Sequence, residues 1–332
     1  MKAVKLELLD PLDDKTLAEV LELEVAALAV DQPYAPPPTP TAARALRLHG
    51  WDGEPGQEWL YRDDAGRLVG KVGTHLPRWE NRHVAFGGVL VHPQRRRRGI
   101  GRRLAAHLRE LVDQPGRRVL VSRSLDAPAQ RAFAAGLGFT PASIDIHRRQ
   151  DLEAVDWDHV EALRAQARHA AGGYTLLRLD GPVPDDLVEE VAGMEAAIND
   201  APRDNLDMDD QVITAERIRA RERSVAEAGL REYRLVARRN RDGRLAGHTV
   251  VFVDPEQPRY AGQGDTSVLA EHRGHRLGLL LKSQMMFWVA AAEPAVRWID
   301  TGNAESNRHM IAINEALGYQ IMARHIGWQR DL

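Results

Sequence analysis

The stretch whose residue types could do chemistry is 89–104, which reads VLVHPQRRRRGIGRRL. Val89 and Val91 alternate as in a strand, whereas leucines recur at helical spacing after residue 104. The turn at 96–101 is therefore predicted to lie at a helix N-terminus, where unpaired main-chain N–H groups and the positive end of the helix dipole stabilise an anion. Glycines at 99 and 101 let phosphate oxygens approach the main chain. The turn thus indicates phosphate binding.

This turn resembles the acyl-CoA-binding motif of the GNAT superfamily of N-acetyltransferases, in which Arg or Gln is followed by x-x-Gly-x-Gly/Ala. Arg96, Gly99 and Gly101 match the motif, and the preceding Val91-His92-Pro93 matches the end of that family's fourth strand. Two other phosphate loops do not fit, because no Gly-Lys-Ser/Thr follows and the third glycine of a dinucleotide-binding turn is missing.

An internal repeat supports the same resemblance with residues that did not suggest it. The segment GRLVG at 66–70 returns as GRLAG at 243–247, and the turn at 96–101 returns at 273–278, both at an offset of 177 residues. LGF at 137–139 returns as LGY at 317–319, at an offset of 180, and is similar to the end of the last GNAT helix. Matched offsets indicate a duplicated domain.

The resemblance implies an α/β (α+β) fold class with two tandem GNAT (acyl-CoA N-acyltransferase) folds. Each is expected to be a mixed, mostly antiparallel twisted sheet flanked by helices and splayed open between its fourth and fifth strands. We predict an N-terminal domain at 1–150, a helical linker at 151–173 and a C-terminal domain at 174–332. Asp156 or Asp158 can cap the linker helix, and two glycines at 172 and 173 can end it.

The resemblance also implies that acetyl-CoA, or another acyl-CoA, is the cofactor, with the turn of the first copy as the better donor site and the second copy either shaping the acceptor side or binding weakly. The residues expected to bind it are Val89, Val91, Arg96, Arg97, Arg98, Gly99, Ile100, Gly101 and Arg102 in the first copy, and Thr266, Val268, Arg273, Gly274, His275, Arg276, Leu277, Gly278 and Asn307 in the second. Two positions of the second copy depart from the motif, since Arg276 replaces Gly99 and Ala270 replaces Pro93. The Arg276 side chain could obstruct a phosphate or supply a charge to it.

Catalytic side chains are harder to assign. Where many GNAT enzymes have a tyrosine that protonates the leaving thiolate, this chain has Ala134 and Asn314, and where some have a glutamate base it has Ala85 and Gly262. We predict Ser124 in the first copy and Asp265 in the second as substitutes. Further polar candidates are Ser122, Thr301 and Asn303. The alternative is that these hydroxyls satisfy local backbone groups, as strand-end serines and threonines commonly do.

Composition limits the classes of function. The chain has 332 residues, a formal net charge of −3 and no cysteine, which excludes disulfides and thiolate ligands, and no metal-binding motif is found. No apolar run approaches the length of a membrane span, and the first residues lack a signal-peptide core, so a cytoplasmic location is expected. The basic patch at 95–103 lacks interleaved aromatic residues, which argues against nucleic acid as a partner.

These patterns predict an acetyl-CoA-dependent N-acetyltransferase that acts on the amine of a small molecule. The variant turn at 273–278 is similar to that of actinobacterial tandem acetyltransferases, which suggests secondary-metabolite (antibiotic) biosynthesis or resistance. The acidic loop at 200–210 is expected to line the acceptor site of the second copy, where it would favour a cationic amine, unless it is a solvated loop. The alternative function is a non-catalytic acyl-CoA-binding or sensing protein. A monomer with an internal pseudo-dimer, or a homodimer, is expected.

Overall fold

A computed structural model describes residues 6–9 and 13–332. The first element of the described part is the strand β1, Leu6–Leu8. The chain forms two compact units. The N-terminal unit comprises the chain up to Ile144 together with Arg203–Asp209 and Arg324–Leu332, and the C-terminal unit comprises Asp145–Pro202 and Asp210–Ala323.

The elements follow one another in the same order in both copies. The first copy contains β1 (Leu6–Leu8), α1 (Asp14–Asp31), α2 (Pro40–His49), β2 (Gln57–Arg62), β3 (Leu68–His75), β4 (Val84–Val91), α3 (Ile100–Val112), β5 (Val119–Leu125), α4 (Pro128–Ala135) and β6 (Thr140–Asp151). After the linker helix α5 (Trp157–Ala170), the second contains β7 (Tyr174–Asp180), α6 (Val188–Glu195), α7 (Ala215–Glu227), β8 (Arg231–Arg239), β9 (Leu245–Val253), β10 (Tyr260–Val268), α8 (Leu277–Ala292), β11 (Trp298–Ala304), α9 (Arg308–Ala316) and β12 (Gln320–Asp331).

The last strand of each copy completes the sheet of the other unit. The sheet of the N-terminal unit has the order β1-β2-β3-β4-β5-β12, in which β12 is antiparallel to β5. The sheet of the C-terminal unit has the order β6-β11-β10-β9-β8-β7, in which β6 is antiparallel to β11. The predicted domain limits at residues 150 and 173 follow chain order, whereas the compact units contain exchanged segments.

The expected splay is found in both units. In the N-terminal unit, β4 and β5 pair in parallel only from Val84 to Phe86, although β4 continues to Val91. In the C-terminal unit, β10 and β11 pair only from Tyr260 to Gly262. Every other strand pair within each sheet is antiparallel. The predicted fold class is therefore confirmed.

Helices α3 and α8 hold their sheets through apolar faces. Leu104, Leu108 and Val112 recur at helical spacing and are buried, as predicted for a helix with one apolar face. α8 is apolar over most of its surface, and its residues belong to a larger buried cluster. Within the described part of the chain, no helix is long and apolar enough to cross a membrane.

Candidate donor site

The two predicted phosphate turns have matching backbone conformations, although their glycines stand at different positions. In the first turn Arg97 and Gly99 adopt positive φ angles of 62° and 77°. In the second turn the equivalent residues, Gly274 and Arg276, have φ angles of 84° and 55°. Each turn therefore contains two left-handed residues, of which only one is glycine. Sequence analysis missed the left-handed Arg97, although Gly274 at the equivalent position was a signal for it.

The motif arginine of each turn pairs with an aspartate of its own copy. Arg96 donates from Nη1 and Nη2 to both carboxylate oxygens of Asp31 at 2.7 and 2.6 Å, and from Nε to the Val91 carbonyl at 3.1 Å. Arg273 repeats this arrangement with Asp200 and the Val268 carbonyl. These arginines fasten the turn to the end of the first helical segment of their copy. The side chain of Arg96 is thus paired with Asp31, and its predicted contact with the cofactor stays a prediction.

Main-chain donors and three exposed arginines stand at the first turn. Because α3 begins at Ile100, its first N–H groups have no acceptor within the helix and face the turn. Arg97, Arg98 and Arg102 are exposed. Gly101 lies against the ring of Phe133, which an added Cβ would meet at 3.2 Å. The surroundings of this helix end fit a diphosphate, because donors and positive charge converge on it.

A cavity of about 180 Å³ lies in the splay between β4 and β5, and one of its walls is Phe133, the residue that lies against Gly101 of the turn. Its walls include Val89 of β4, Ala105 of α3, Ser122 of β5, and Ala134 and Phe139 around α4. Beyond Phe86 the edge of β4 that faces β5 has no strand partner, so its main-chain groups can pair with an extended ligand. A narrow apolar cleft with an unpaired strand edge fits the pantetheine arm of coenzyme A.

The two serines of β5 differ in their surroundings. Ser124 accepts a hydrogen bond from Trp328 Nε1 at 2.9 Å and donates to the Leu125 carbonyl at 3.2 Å. Ser122 lines the cavity opposite Gly88, whose added Cβ would lie 3.9 Å from the Ser122 hydroxyl. Both serines line the cavity, but the Ser124 hydroxyl is engaged in these two hydrogen bonds, so its predicted catalytic role stays a prediction.

In the C-terminal unit, Arg276 does not fill its turn. Its side chain is exposed, and Nη1 donates to Gln166 of α5 at 3.2 Å. Asn307 caps α9 by accepting a hydrogen bond from the Met310 N–H at 3.2 Å, so its expected contact with a cofactor stays a prediction. Thr266 Oγ1 lies 2.7 Å from Thr249 Oγ1.

The predicted catalytic residue Asp265 lies beside a charged cluster of the C-terminal unit. Glu195 is buried there between Arg221, which donates to it at 2.8 and 2.9 Å, and Arg234. Burial opposes ionisation of Glu195, but the arginines lower its pKa to about 2. Asp265 reaches the protein surface. Burial of its carboxyl group among neighbouring atoms, together with the negative charge of Glu195, raises the pKa of that group. A carboxylate with a raised pKa suits a general base.

His248 is held neutral within the same cluster. Burial lowers its pKa to about 3, and its Nδ1 lies 3.0 Å from Arg234 Nη1. Because Nδ1 faces a donor, the remaining proton of the ring lies on Nε2. Sequence analysis missed this histidine, since nothing local distinguishes it.

The acidic loop is divided between the two units. Residues 203–209 belong to the N-terminal unit, whereas Asp200 and Asp210 at the two ends of the loop belong to the C-terminal unit. Leu206 packs against the apolar cluster at the start of β4 and β5, and the Asp209 N–H donates to Asn81 Oδ1 at 2.6 Å. Asp207 Oδ1 lies 3.3 Å from His83 Nε2. The predicted role of this loop at the acceptor site of the second copy stays a prediction.

Comparison with known proteins places this geometry among acyltransferases. Residues 23–139 match the model of the Acetyltransferase (GNAT) family. The structure is similar to a tandem GNAT protein from the clavulanic acid biosynthesis pathway, with 31% identity, 98% of both chains covered and a TM-score of 0.82. A GCN5-related N-acetyltransferase from Sphaerobacter thermophilus shares the fold at 17% identity, with 100% of this chain and 96% of that chain covered and a TM-score of 0.68.

One curated protein is also similar in sequence. A mycothiol acetyltransferase from Stackebrandtia nassauensis is 29% identical over 177 residues, which are 53% of this chain and 56% of that protein. The chain therefore matches little more than half the length of that relative. Within the described residues, no group of three or more His, Asp or Glu is arranged to hold a metal ion.

Proposed function

The chain belongs to the acetyltransferase (GNAT) family, and we propose that it transfers an acetyl group from acetyl-CoA, bound in the N-terminal unit, to the amine of a small molecule. The observation that carries this proposal is the contact of Gly101 in the first turn with Phe133, which is a wall of the 180 Å³ cavity in the splay. It joins a diphosphate-binding helix end to a cleft that fits a pantetheine arm.

Different residues of the N-terminal unit would bind the diphosphate and the pantetheine arm of acetyl-CoA. The N–H groups at the start of α3, with Arg97, Arg98 and Arg102, would hold the diphosphate, and the free edge of β4 from Gly87 to Val91 would pair with the arm. Asp31 and Arg96 keep the turn in shape. Acetyl-CoA, when bound, supplies an activated acetyl thioester.

The transfer forms an amide bond and releases a thiol, so the amine must lose a proton and the sulfur must gain one. The Ser122 hydroxyl faces the splay and can donate a hydrogen bond to the sulfur side of the cleft. Among the described residues that line this cavity there is no Asp or Glu side chain, and the proposal assigns removal of the amine proton to water. A main-chain N–H of β4 can stabilise the oxyanion.

The acceptor is proposed to be a small-molecule amine of specialised metabolism. The similar tandem protein comes from the clavulanic acid biosynthesis pathway, which supports this class of acceptor. The alternative of an acyl-CoA-binding or sensing protein is favoured by the positions of Ala134 and Ala85, where a catalytic tyrosine or glutamate could stand.

Release of free thiol from acetyl-CoA, measured over a panel of small amines, tests the proposal. At least one amine should raise the rate above the background of hydrolysis, whereas tight binding without turnover across the panel would favour the sensor. Gly101→Glu should abolish binding, because its side chain meets Phe133 and places a negative charge at the turn. Gln94→Glu is the matched control, since it adds the same charge to an exposed site nearby.

A further inference from the structure

The donor cleft has an internal counterpart in the C-terminal unit, and three of its wall positions carry larger polar residues there. At the offset of 177, Lys282 of α8 stands where Ala105 stands in α3. At the offset of 180, Asn314 and Tyr319 stand where Ala134 and Phe139 stand. Ala105, Ala134 and Phe139 all line the 180 Å³ cavity of the N-terminal unit.

These larger side chains are packed inside the C-terminal unit. Lys282 is 2% exposed, Asn314 0% and Tyr319 3%, whereas Ala105 and Phe139 are only half-buried. Lys282 Nζ lies 4.9 Å from the centroid of the Tyr319 ring, within the range of a cation–π contact. The lysine stem therefore extends from α8 to the tyrosine and occupies the space that is open beside Ala105.

The residues next to Lys282 in α8 belong to the buried core of the C-terminal unit. Leu281 and Met285 of α8 share one buried cluster with Leu317, which is 1% exposed, while its N-terminal equivalent Leu137 is only half-buried and lines the cavity. Burial lowers the pKa of Lys282 to about 7, with no neighbouring charge contributing. Near neutral pH a large share of the amine is uncharged, so it can remain in this interior.

We propose that Lys282 closes the donor cleft of the C-terminal unit and so confines thioester binding to the N-terminal unit. The phosphate turn of the C-terminal unit keeps the backbone shape of the first, and Arg276 points to Gln166. The block thus lies in the cleft for the arm and not in the turn. This inference rests on the proposed binding of acetyl-CoA in the N-terminal cleft.

Exchanging the side chains of Ala105 and Lys282 tests whether Lys282 closes the C-terminal cleft. The number of acetyl-CoA molecules per chain is counted by native mass spectrometry, and affinities are measured by calorimetry. We expect one molecule for the wild type, two for Lys282→Ala and none for Ala105→Lys, whose affinity should fall about a hundredfold or more. The double variant Ala105→Lys, Lys282→Ala should again bind one molecule, now in the C-terminal unit.

Three further variants test whether the volume of the Lys282 side chain is what blocks the cleft. Lys282→Met keeps the length of the side chain and should still bind one molecule, as should Leu280→Ala, which opens a hole on the opposite side of α8. Three outcomes would overturn the inference. The wild type could bind two molecules of acetyl-CoA, Lys282→Ala could bind only one, or Arg276→Gly alone could bind a second. If the wild type binds none, the proposed function itself fails. Circular dichroism checks that each variant is folded, and Ala105→Lys provides a test in the other unit.

Discussion

Lys282 gives the C-terminal unit a pH-dependent stability that can be measured directly. The perturbation is Lys282→Met, which replaces a buried amine by an apolar side chain of similar length. The unfolded chain restores the ordinary lysine pKa of 10.5, while the folded unit holds it at about 7. The folded state therefore binds fewer protons than the unfolded state between these values, and wild-type stability must rise with pH across this window.

The magnitude follows from the size of the shift. A lowering from 10.5 to about 7 corresponds to a penalty of about 5 kcal/mol below pH 7, and it disappears above pH 10.5. Between pH 6.5 and pH 9.5, the free energy of unfolding of the wild type should rise by about 3 kcal/mol relative to that of Lys282→Met. All other titrating groups are shared by the two proteins, so their effects cancel in the difference.

Urea unfolding of both proteins, followed by circular dichroism at several pH values, provides the assay. The difference in midpoint, multiplied by the slope of the free energy with urea, gives the difference in the free energy of unfolding at each pH. A difference that stays constant within about 0.5 kcal/mol would show that the amine is hydrated or paired in the folded protein. The reasoning about its burial would then be refuted.

Three other predictions concern the turns and the serines. Asp31→Asn removes the partner of the motif arginine and should weaken acetyl-CoA binding about fivefold by calorimetry, because a partly exposed bidentate pair is worth about 1 kcal/mol; unchanged affinity would show that the pair does not shape the turn. Ser122→Ala should lower kcat for thiol release at least about tenfold, whereas Ser124→Ala should cost about 1 kcal/mol in urea unfolding, because Trp328 loses its acceptor. Arg276→Gly should raise the free energy of unfolding by about 1 kcal/mol, since its φ of 55° strains any side chain, and a loss of stability would contradict this.

Much of the first site could be predicted from the sequence because its signals are local. The spacing of apolar residues places α3 immediately after the turn, and the glycine at 99 occupies the left-handed position that begins the helix. The repeat at offsets of 177 and 180 predicts two copies of one fold, and both splays were found where the resemblance placed them. The helix and the turn depend on residues close together in the chain, and the repeat depends on a fixed offset. Both kinds of pattern are present in the sequence itself.

The tertiary structure decided the features that depend on distant contacts. The exchange of β6 and β12 between the units, and the transfer of residues 203–209 to the N-terminal unit, follow from packing and leave no mark in the local pattern. Lys282 reads as an ordinary helix residue in the sequence, and only its burial against Tyr319 makes it significant. The physical reason is that helix periodicity and turn conformation are set within a few residues, whereas burial and charge pairing are set by segments far apart in the chain.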